Sequence, residues 1–351
     1  MAVIALALGL ALAGHDRQAM AETPAKQLFG AKALPAKMRP QPVGFYSRGC
    51  LAGGVAIPVD GPAWQVMRLS RNRRWAHPEL VGIIEDLSQK AKSDGWNGLM
   101  VGDMSQPRGG PMLTGHASHQ VGLDADIWFM PMPDKRLTYR EREELSAVSV
   151  LKPGTFYVDD ARWTRSHEQL LRHAAAYPQV QRILVHPGVK KKLCDTVEGD
   201  RAWLAKIRPF YGHHYHFHLR IRCPEGAASC KPQDAVPAGT GCDREILDWW
   251  FKSALVPRKP QKPTSPKKPR QIQLSDLPGT CAAVLEAPDV PKENTEYPVR
   301  ETAFTAPALD IPEFDPLAIL ASRPIEKGKR TPAGQTEGIP VPTPRPADLT
   351  D

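Results

Sequence analysis

The sequence predicts an α+β fold, with a small antiparallel sheet flanked by helices, three disulfides and a disordered C-terminal tail. Two segments, 123–129 and 215–221, alternate apolar and polar residues as half-buried strands do. Helical patterns such as the one over 78–92 occur between them in irregular order, which favours α+β over a regularly alternating α/β fold. Eighteen of the 36 prolines lie in 252–351, so the chain is not uniformly folded.

The N-terminus reads as a signal peptide. Residues 1–14 are apolar and rich in Ala and Leu, and Ala19-Met20-Ala21 then offers the small residues that a signal peptidase reads. No Lys or Arg precedes the apolar run, and a buried N-terminal helix is the alternative. No apolar run reaches the ~20 residues of a membrane span. We therefore predict a signal peptide over 1–21 and no integral membrane segment after processing.

Three helices are predicted in the body of the chain. The first, over 78–92, opens on a proline, as helix N-termini often do, and its apolar residues recur at helical spacing. The other two are expected over 168–176 and 243–252.

A first cluster of polar residues accompanies the strand 123–129. A short apolar strand and a loop rich in Gly and Pro precede it, together with His116 and His119. Within the strand, Asp124 and Asp126 share one face and the apolar residues occupy the other. A plain half-buried edge strand would show the same alternation, but two histidines beside two acids favour a chemical role.

A second cluster spans 211–222; it includes His213 and continues into the strand 215–221. Tyr215, Phe217, Leu219 and Ile221 form its apolar face, and His214, His216, His218, Arg220 and Arg222 form the other. Imidazoles two residues apart on a strand project to the same side, about 6.5–7 Å apart along the chain. The two arginines are candidates for contact with substrate carboxylates, or they line a solvent-facing strand.

Six of the eleven histidines lie in these two clusters, a pattern that an inert core rarely accommodates. Three His and Asp ligands that leave one coordination position for water are typical of a catalytic zinc site. The residues therefore predict a zinc hydrolase, and metal storage is the alternative.

The cysteines indicate an oxidising compartment. They are Cys50, Cys194, Cys223, Cys230, Cys242 and Cys281. None has zinc-knuckle spacing, and an even number behind a signal peptide predicts three disulfides, for which fifteen pairings exist. Cys223 and Cys230 are close enough for a local loop, and a bond between the outermost pair would clasp the two ends of the domain.

Charge is concentrated in one segment. The net charge is +8, but 252–270 holds seven basic residues and no acid, so the rest of the chain is near +1. The composition therefore does not indicate a nucleic-acid-binding protein. Frequent proline predicts a semi-rigid basic linker over 252–274, either a solvated tether or a contact for an anionic surface. We expect the Pro-rich tail over 285–351 to be largely disordered.

Together, these motifs resemble the penicillin-insensitive murein endopeptidases, whose zinc signature is shared with lysostaphin-type endopeptidases and D-Ala-D-Ala peptidases. The resemblance spans about residues 40–281 and includes the cysteine spacing. Its motifs are Gln65–Arg68, His77–Leu80, Gly115–Gln120, His119-x6-Asp126, Arg208–Tyr211 and His213-x2-His216-x-His218. It implies an endopeptidase domain over 22–251, closed by 275–285 through Cys281.

The resemblance also implies roles. Zinc would be held by His119, Asp126 and His218, on the small antiparallel sheet, with His216 as catalytic base or transition-state donor and His213 assisting it. Asp124 is a candidate acceptor that orients a ligand histidine, or else a solvated loop acid. The implied disulfides are Cys50–Cys281, Cys194–Cys242 and Cys223–Cys230.

One element departs from the family pattern. Members can hold a second metal through the counterpart of His116 and an Asp-Gly-x-His element. Here the matching segment is Pro153-Gly154-Thr155-Phe156, which has neither the acid nor the imidazole. We therefore expect one zinc ion and doubt a second site, which leaves His116 as a weak ligand or a substrate contact.

The resulting prediction is a periplasmic zinc endopeptidase that cuts D-alanyl–diaminopimelate cross-links of peptidoglycan during wall remodelling. A D,D-carboxypeptidase that trims stem peptides is the nearest alternative, and a non-catalytic wall-binding or metal-binding protein is another. Cross-linked peptidoglycan is the expected partner, and the sequence does not indicate an oligomeric state.

Overall fold

The computed structural model describes residues 23–256, 270–299 and 309–321, and it confirms the α+β class. The strands are β1 (Gln41–Phe45), β2 (Arg48–Ala52), β3 (Val55–Ala56), β4 (Asp60–Gly61), β5 (Trp64–Val66), β6 (Trp75–Ala76), β7 (Leu99–Val101), β8 (Asp124–Trp128), β9 (Val180–Val185), β10 (Ile207–Pro209) and β11 (His216–Ile221). The helices are α1 (Ala25–Gly30), α2 (Pro78–Ser93), α3 (Tyr139–Glu144), α4 (Arg165–Ala176), α5 (Pro187–Thr196), α6 (Arg244–Trp249), α7 (Thr280–Glu286) and α8 (Pro316–Ala321).

The central sheet is larger than the small antiparallel sheet that the sequence suggests. Seven strands pair in the order β10-β9-β11-β8-β7-β5-β4. The pairs β10–β9 and β5–β7 are parallel and the others antiparallel, so the sheet is mixed. Several of its strands are only two or three residues long, which is why the alternation that identifies β8 and β11 gives no signal for them. The strands β1 and β2 form a separate hairpin, and β3 pairs with β6.

Helices cover the apolar face of this sheet. The helix α2 runs from Pro78 to Ser93, and its N-cap residue His77 accepts a hydrogen bond from the backbone N–H of Glu79. Its apolar stripe is fully buried in the main core, together with the inward residues of β8, β9 and β11. The helix α4 begins at Arg165, three residues before the predicted start, and α6 continues into a π-helical turn over Trp250–Ala254.

A second, smaller core lies where the two ends of the described domain meet. There α1 and α7 pack against the β1–β2 hairpin, and the disulfide Cys50–Cys281 lies buried among them. The other two disulfides are Cys194–Cys242 and Cys223–Cys230. The number and the pairs are those that the family resemblance implies.

The packed part of the chain extends past residue 285. Asp289 forms an ion pair with Arg108, and Thr295 is buried. The helix α8 comes within 8 Å, Cα to Cα, of the 3-10 turn Leu69–Arg71. The expected signal peptide, residues 257–269 of the expected linker, and 300–308 and 322–351 of the expected tail lie outside the described residues. Within the described ranges, no helix is long and apolar enough to cross a membrane.

Candidate metal centre

The candidate site lies on the polar face of the paired strands β8 and β11. In this antiparallel pair His218 is directly opposite Asp126, and Arg220 is directly opposite Asp124. Side chains opposite each other share a face of the sheet, so the two polar clusters of the sequence meet. The alternate residues, among them Phe217 and Leu219, are fully buried on the other face. The predicted division of both strands into two faces is therefore confirmed.

A tightly packed loop brings His116 and His119 to the same place. The loop is anchored by Gln120, whose side-chain amide donates to the carbonyls of Ser47 and Ala117 at 2.8 and 2.9 Å. His119 has a left-handed backbone (φ 68°), and its N–H donates to Asp124 Oδ2 at 3.1 Å. Left-handed residues other than glycine cluster at functional sites, where the surrounding structure holds them in place.

Asp126 is the centre of the arrangement. Its Oδ1 lies 3.1 Å from His218 Nδ1, 3.4 Å from His119 Nε2 and 3.6 Å from His216 Nε2. Its Oδ2 lies 3.6 Å from His116 Nδ1. Four imidazole nitrogens therefore face a single carboxylate that is 3% exposed.

The donor atoms suit a bound metal ion. One ligand atom each of His116, His119 and Asp126 lies within 4.8 Å of the others. Asp126 Oδ1 and both ring nitrogens of His119 are buried and make no hydrogen bond within the described part of the chain. Unsatisfied buried polar atoms are costly, and a cation beside them would satisfy both the carboxylate and the imidazole. Nitrogen and oxygen donors of this kind are those that Zn²⁺ uses in catalytic sites.

A second carboxylate, Asp124, orients His218. Its Oδ1 lies 2.8 Å from His218 Nε2 and accepts from Arg220 Nε at 2.6 Å. The Arg220 guanidinium also lies 4.1 Å from the ring centre of Tyr46. Asp124 is fully buried, so the alternative of a solvated loop acid is wrong. Arg220, at 7% exposure, neither faces solvent nor has a free guanidinium for substrate.

These contacts set the charge of the site. Burial disfavours the Asp126 carboxylate, but His216, His119 and His116 outweigh this penalty and hold its pKa well below the ordinary value. Burial likewise disfavours the protonated form of His218, yet Asp124 and Asp126 raise its pKa to about 8. The arrangement thus keeps Asp126 ionised, with Asp124 paired to the outer nitrogen of His218.

His216 and His213 lie beside this cluster. Burial lowers the pKa of His216 to about 4 and holds the pKa of His213 well below its usual range. The two rings are 5.0 Å apart, and the His213 ring is 5.9 Å from that of His218. His213 has a left-handed backbone (φ 51°), and its Nδ1 contacts the carbonyl of Tyr211 at 2.6 Å. Both imidazoles are neutral near pH 7, the state in which an imidazole accepts a proton.

Three residues that the sequence did not single out complete the surroundings of His116. Asp103 Oδ2 lies 3.2 Å from His116 Nε2 and accepts hydrogen bonds from Arg73 at 2.8 Å and Arg71 at 3.0 Å. Asp103 comes soon after the buried strand β7, a position that could have drawn attention to it. The arginines gave no such signal, because their partner is some 30 residues away along the chain.

The segment that matches the second-metal element does not join the cluster. Phe156 stacks near His186, with ring centres 6.2 Å apart, and Asp160 forms an ion pair with Lys192. His167 stacks on Trp163 and contacts Thr164 through its Nδ1 at the start of α4. Asp159, next to Asp160 in the sequence, accepts a hydrogen bond from the backbone N–H of Ala161.

The fold and the site define a class: an α+β protein with a buried His/Asp cluster compatible with a metal ion. Comparison with known proteins is more specific. A family model described as penicillin-insensitive murein endopeptidase matches residues 42–286. Curated proteins named penicillin-insensitive murein endopeptidase are also similar. The one from Haemophilus influenzae is 44% identical over 60% of this chain and 73% of its own length. Those from Yersinia enterocolitica and Klebsiella pneumoniae are each 36% identical, over 76% and 81% of this chain and 92% and 97% of their own lengths, respectively. The chain belongs to the penicillin-insensitive murein endopeptidase family.

Proposed function

We propose that this protein is a zinc-dependent D,D-endopeptidase that hydrolyses D-alanyl–diaminopimelate cross-links of peptidoglycan. The observation that carries the proposal is the convergence of four imidazoles on the buried carboxylate of Asp126, in a chain whose curated relatives bear the name murein endopeptidase.

In this proposal, His119 through Nε2, Asp126 through a carboxylate oxygen and His218 through Nδ1 hold the zinc ion. The hydrogen bond from His218 Nε2 to Asp124 supports this choice of nitrogen, because ligand histidines usually donate their other N–H to a carboxylate or carbonyl. When bound, zinc polarises a scissile carbonyl and lowers the pKa of its water ligand. One ion is proposed. His116, whose Nδ1 lies 3.6 Å from Asp126 Oδ2, is proposed as a weak ligand of that ion or a substrate contact rather than as part of a second site.

His216 is proposed as the group that moves the proton. Its Nε2 lies 3.6 Å from Asp126 Oδ1, and burial keeps the ring neutral and able to accept a proton from the water molecule that attacks the scissile carbonyl. The same nitrogen then delivers that proton to the amine that leaves. His213, 5.0 Å away ring to ring, is proposed to assist His216.

Substitution of His216 tests this assignment directly. A His216→Ala protein should retain about one zinc per chain but lose cleavage by about 100-fold or more, because general acid–base catalysis typically contributes that much. His218→Ala should lose the metal as well. Metal content by mass spectrometry and cleavage of cross-linked muropeptides are the two measurements. A fully active His216→Ala protein would rule out this role, and His173→Ala, which removes a half-buried contact with Asp94, is the matched control.

The proposed setting is the periplasm. Three disulfides within the described residues support an oxidising compartment, and the proposed signal peptide over 1–21 supports export. The proposed endopeptidase domain covers 22–251 and is closed by 275–285 through Cys281, with a basic linker over 252–274 and a tail over 285–351.

A further inference from the structure

Arg71 lies beside the candidate metal centre, on the 3-10 turn Leu69–Arg71. Its Nη1 donates to Asp103 Oδ2 at 3.0 Å, and the same oxygen lies 3.2 Å from His116 Nε2. Asp103 outweighs burial and raises the pKa of Arg71, and Glu143 and the phenol of Tyr215 lie close enough to add to this effect. The Tyr215 ring is 4.6 Å from that of His216. Arg71 is therefore linked to His116 through Asp103, and it lies within electrostatic range of Tyr215, the neighbour of His216.

Asp103 does not need Arg71 as its counter-charge. Arg73, whose side chain is 3% exposed, already donates to Asp103 Oδ2 at 2.8 Å and to the carbonyl and hydroxyl of Thr114. The Arg71 side chain is 40% exposed and is hydrogen-bonded through one guanidinium nitrogen only, within the described residues. Arg71, at the edge of the site, therefore carries a positive charge that is not required to neutralise Asp103.

The neighbouring guanidinium groups are already engaged. Arg68 donates to the backbone carbonyls of Arg142, Glu143 and Leu145, and it lies over the ring of Trp128. Arg220, which the sequence suggests as a carboxylate contact, is locked onto Asp124. A guanidinium group with free N–H donors can bind both oxygens of a carboxylate through two parallel hydrogen bonds. Among Arg68, Arg71, Arg73 and Arg220, Arg71 is the one whose guanidinium is both exposed and hydrogen-bonded through a single nitrogen within the described residues.

We propose that Arg71 binds a carboxylate of the substrate and so determines which cross-links are cut. The inference rests on the proposed function, since it names a group of that substrate. In a D-alanyl–diaminopimelate cross-link, the free carboxylate closest to the scissile amide belongs to the carbon that carries the amide nitrogen. That carboxylate, on the leaving side, is the group assigned to Arg71.

The test compares two synthetic cross-linked peptide dimers, one with this carboxylate free and one with it converted to a primary amide. The wild-type protein should cleave the free carboxylate with a kcat/KM about tenfold higher, mostly through KM, as a charge-assisted hydrogen bond predicts. Arg71→Gln should lose this preference while keeping its zinc content, and Arg71→Lys should keep part of it. Arg140→Gln, which changes an arginine 83% exposed on α3, is the matched control and should behave as wild type.

Two results would overturn the assignment. If Arg71→Gln retains the tenfold preference, the carboxylate is bound elsewhere. If it cleaves both dimers more slowly by the same factor, Arg71 only positions Asp103 and His116. Calorimetric binding of the two dimers separates this inference from the proposed function. If the wild-type protein cleaves neither dimer, tighter binding of the free carboxylate that is lost in Arg71→Gln still supports Arg71, and equal or absent binding contradicts it.

Discussion

Asp124 and Asp126 lie two residues apart on the same face of β8, yet their partners differ. Asp126 faces four imidazole nitrogens, whereas Asp124 is occupied by the outer nitrogen of His218, the guanidinium of Arg220 and the backbone of His119. Asp126, whose Oδ1 makes no hydrogen bond within the described residues, is suited to bind a metal ion together with the histidines. Asp124, which is fully hydrogen-bonded, is suited to hold a ligand histidine in place.

Asp124→Asn should therefore weaken metal binding without removing a ligand. We expect zinc affinity to fall by about 10–100-fold, as losses of such outer partners typically do, and the melting temperature to fall because Arg220 loses its buried counter-charge. Competition with a chromogenic chelator measures the affinity. Asp195→Asn, which removes an exposed ion pair with Lys191, is the control and should change neither quantity. Unchanged zinc affinity in Asp124→Asn would contradict the orienting role.

The pKa of His218 predicts how metal binding depends on pH. In the metal-free protein this pKa is about 8, above the ordinary 6.5, so the stability gained from protonation is complete below about pH 6.5 and disappears as the pH rises through 8. Binding through Nδ1 requires that proton to leave. Apparent zinc affinity should therefore rise with pH up to about 8 and then level off. Asp124→Asn should reach its plateau at a lower pH, and an affinity that is flat from pH 6 to 8 would contradict the assignment.

The pairing of β8 with β11 creates the site. Local alternation correctly predicts which face of each strand is polar, because the period of a strand is a property of a few neighbouring residues. The register that sets His218 opposite Asp126 joins residues 92 positions apart along the chain, and no local pattern encodes it. For the same reason Asp103 and its two arginines could not be assigned to the site, whereas the helix over 78–92 could be predicted almost to its ends.

The apolar face of β11 should be important for holding this register. Phe217 is fully buried and packs against Phe129, with ring centres 5.6 Å apart. Phe217→Ala should lower the free energy of unfolding by about 3–5 kcal/mol through lost burial and a cavity. Phe156→Ala, which removes a phenylalanine that is 36% exposed, is the comparison and should have a much smaller effect. Urea unfolding measures both, and equal losses would show that β11 is not part of the stabilising core.

The disulfides differ in the length of the chain segment that each one closes into a loop. Cys50 and Cys281 are 231 residues apart, whereas Cys223 and Cys230 are seven apart. In the chain-entropy description, replacing the first pair by Ser should cost about 5 kcal/mol of stability and replacing the second about 2 kcal/mol. Denaturant unfolding of the two double variants tests this order. A larger loss from the short loop would contradict this order.

Metal-dependent hydrolysis of cross-linked peptidoglycan can be tested in one experiment. The purified protein is incubated with muropeptide dimers joined by D-alanyl–diaminopimelate bonds, with a chelator and without, and the products are identified by mass spectrometry. We expect dimers to become monomers, the chelator to stop the reaction and added zinc to restore it. Loss of a terminal D-alanine with the cross-link intact would indicate a carboxypeptidase. Cleavage that persists in the chelated, metal-free protein, or the absence of any product from the zinc-loaded protein, would contradict a zinc-dependent endopeptidase.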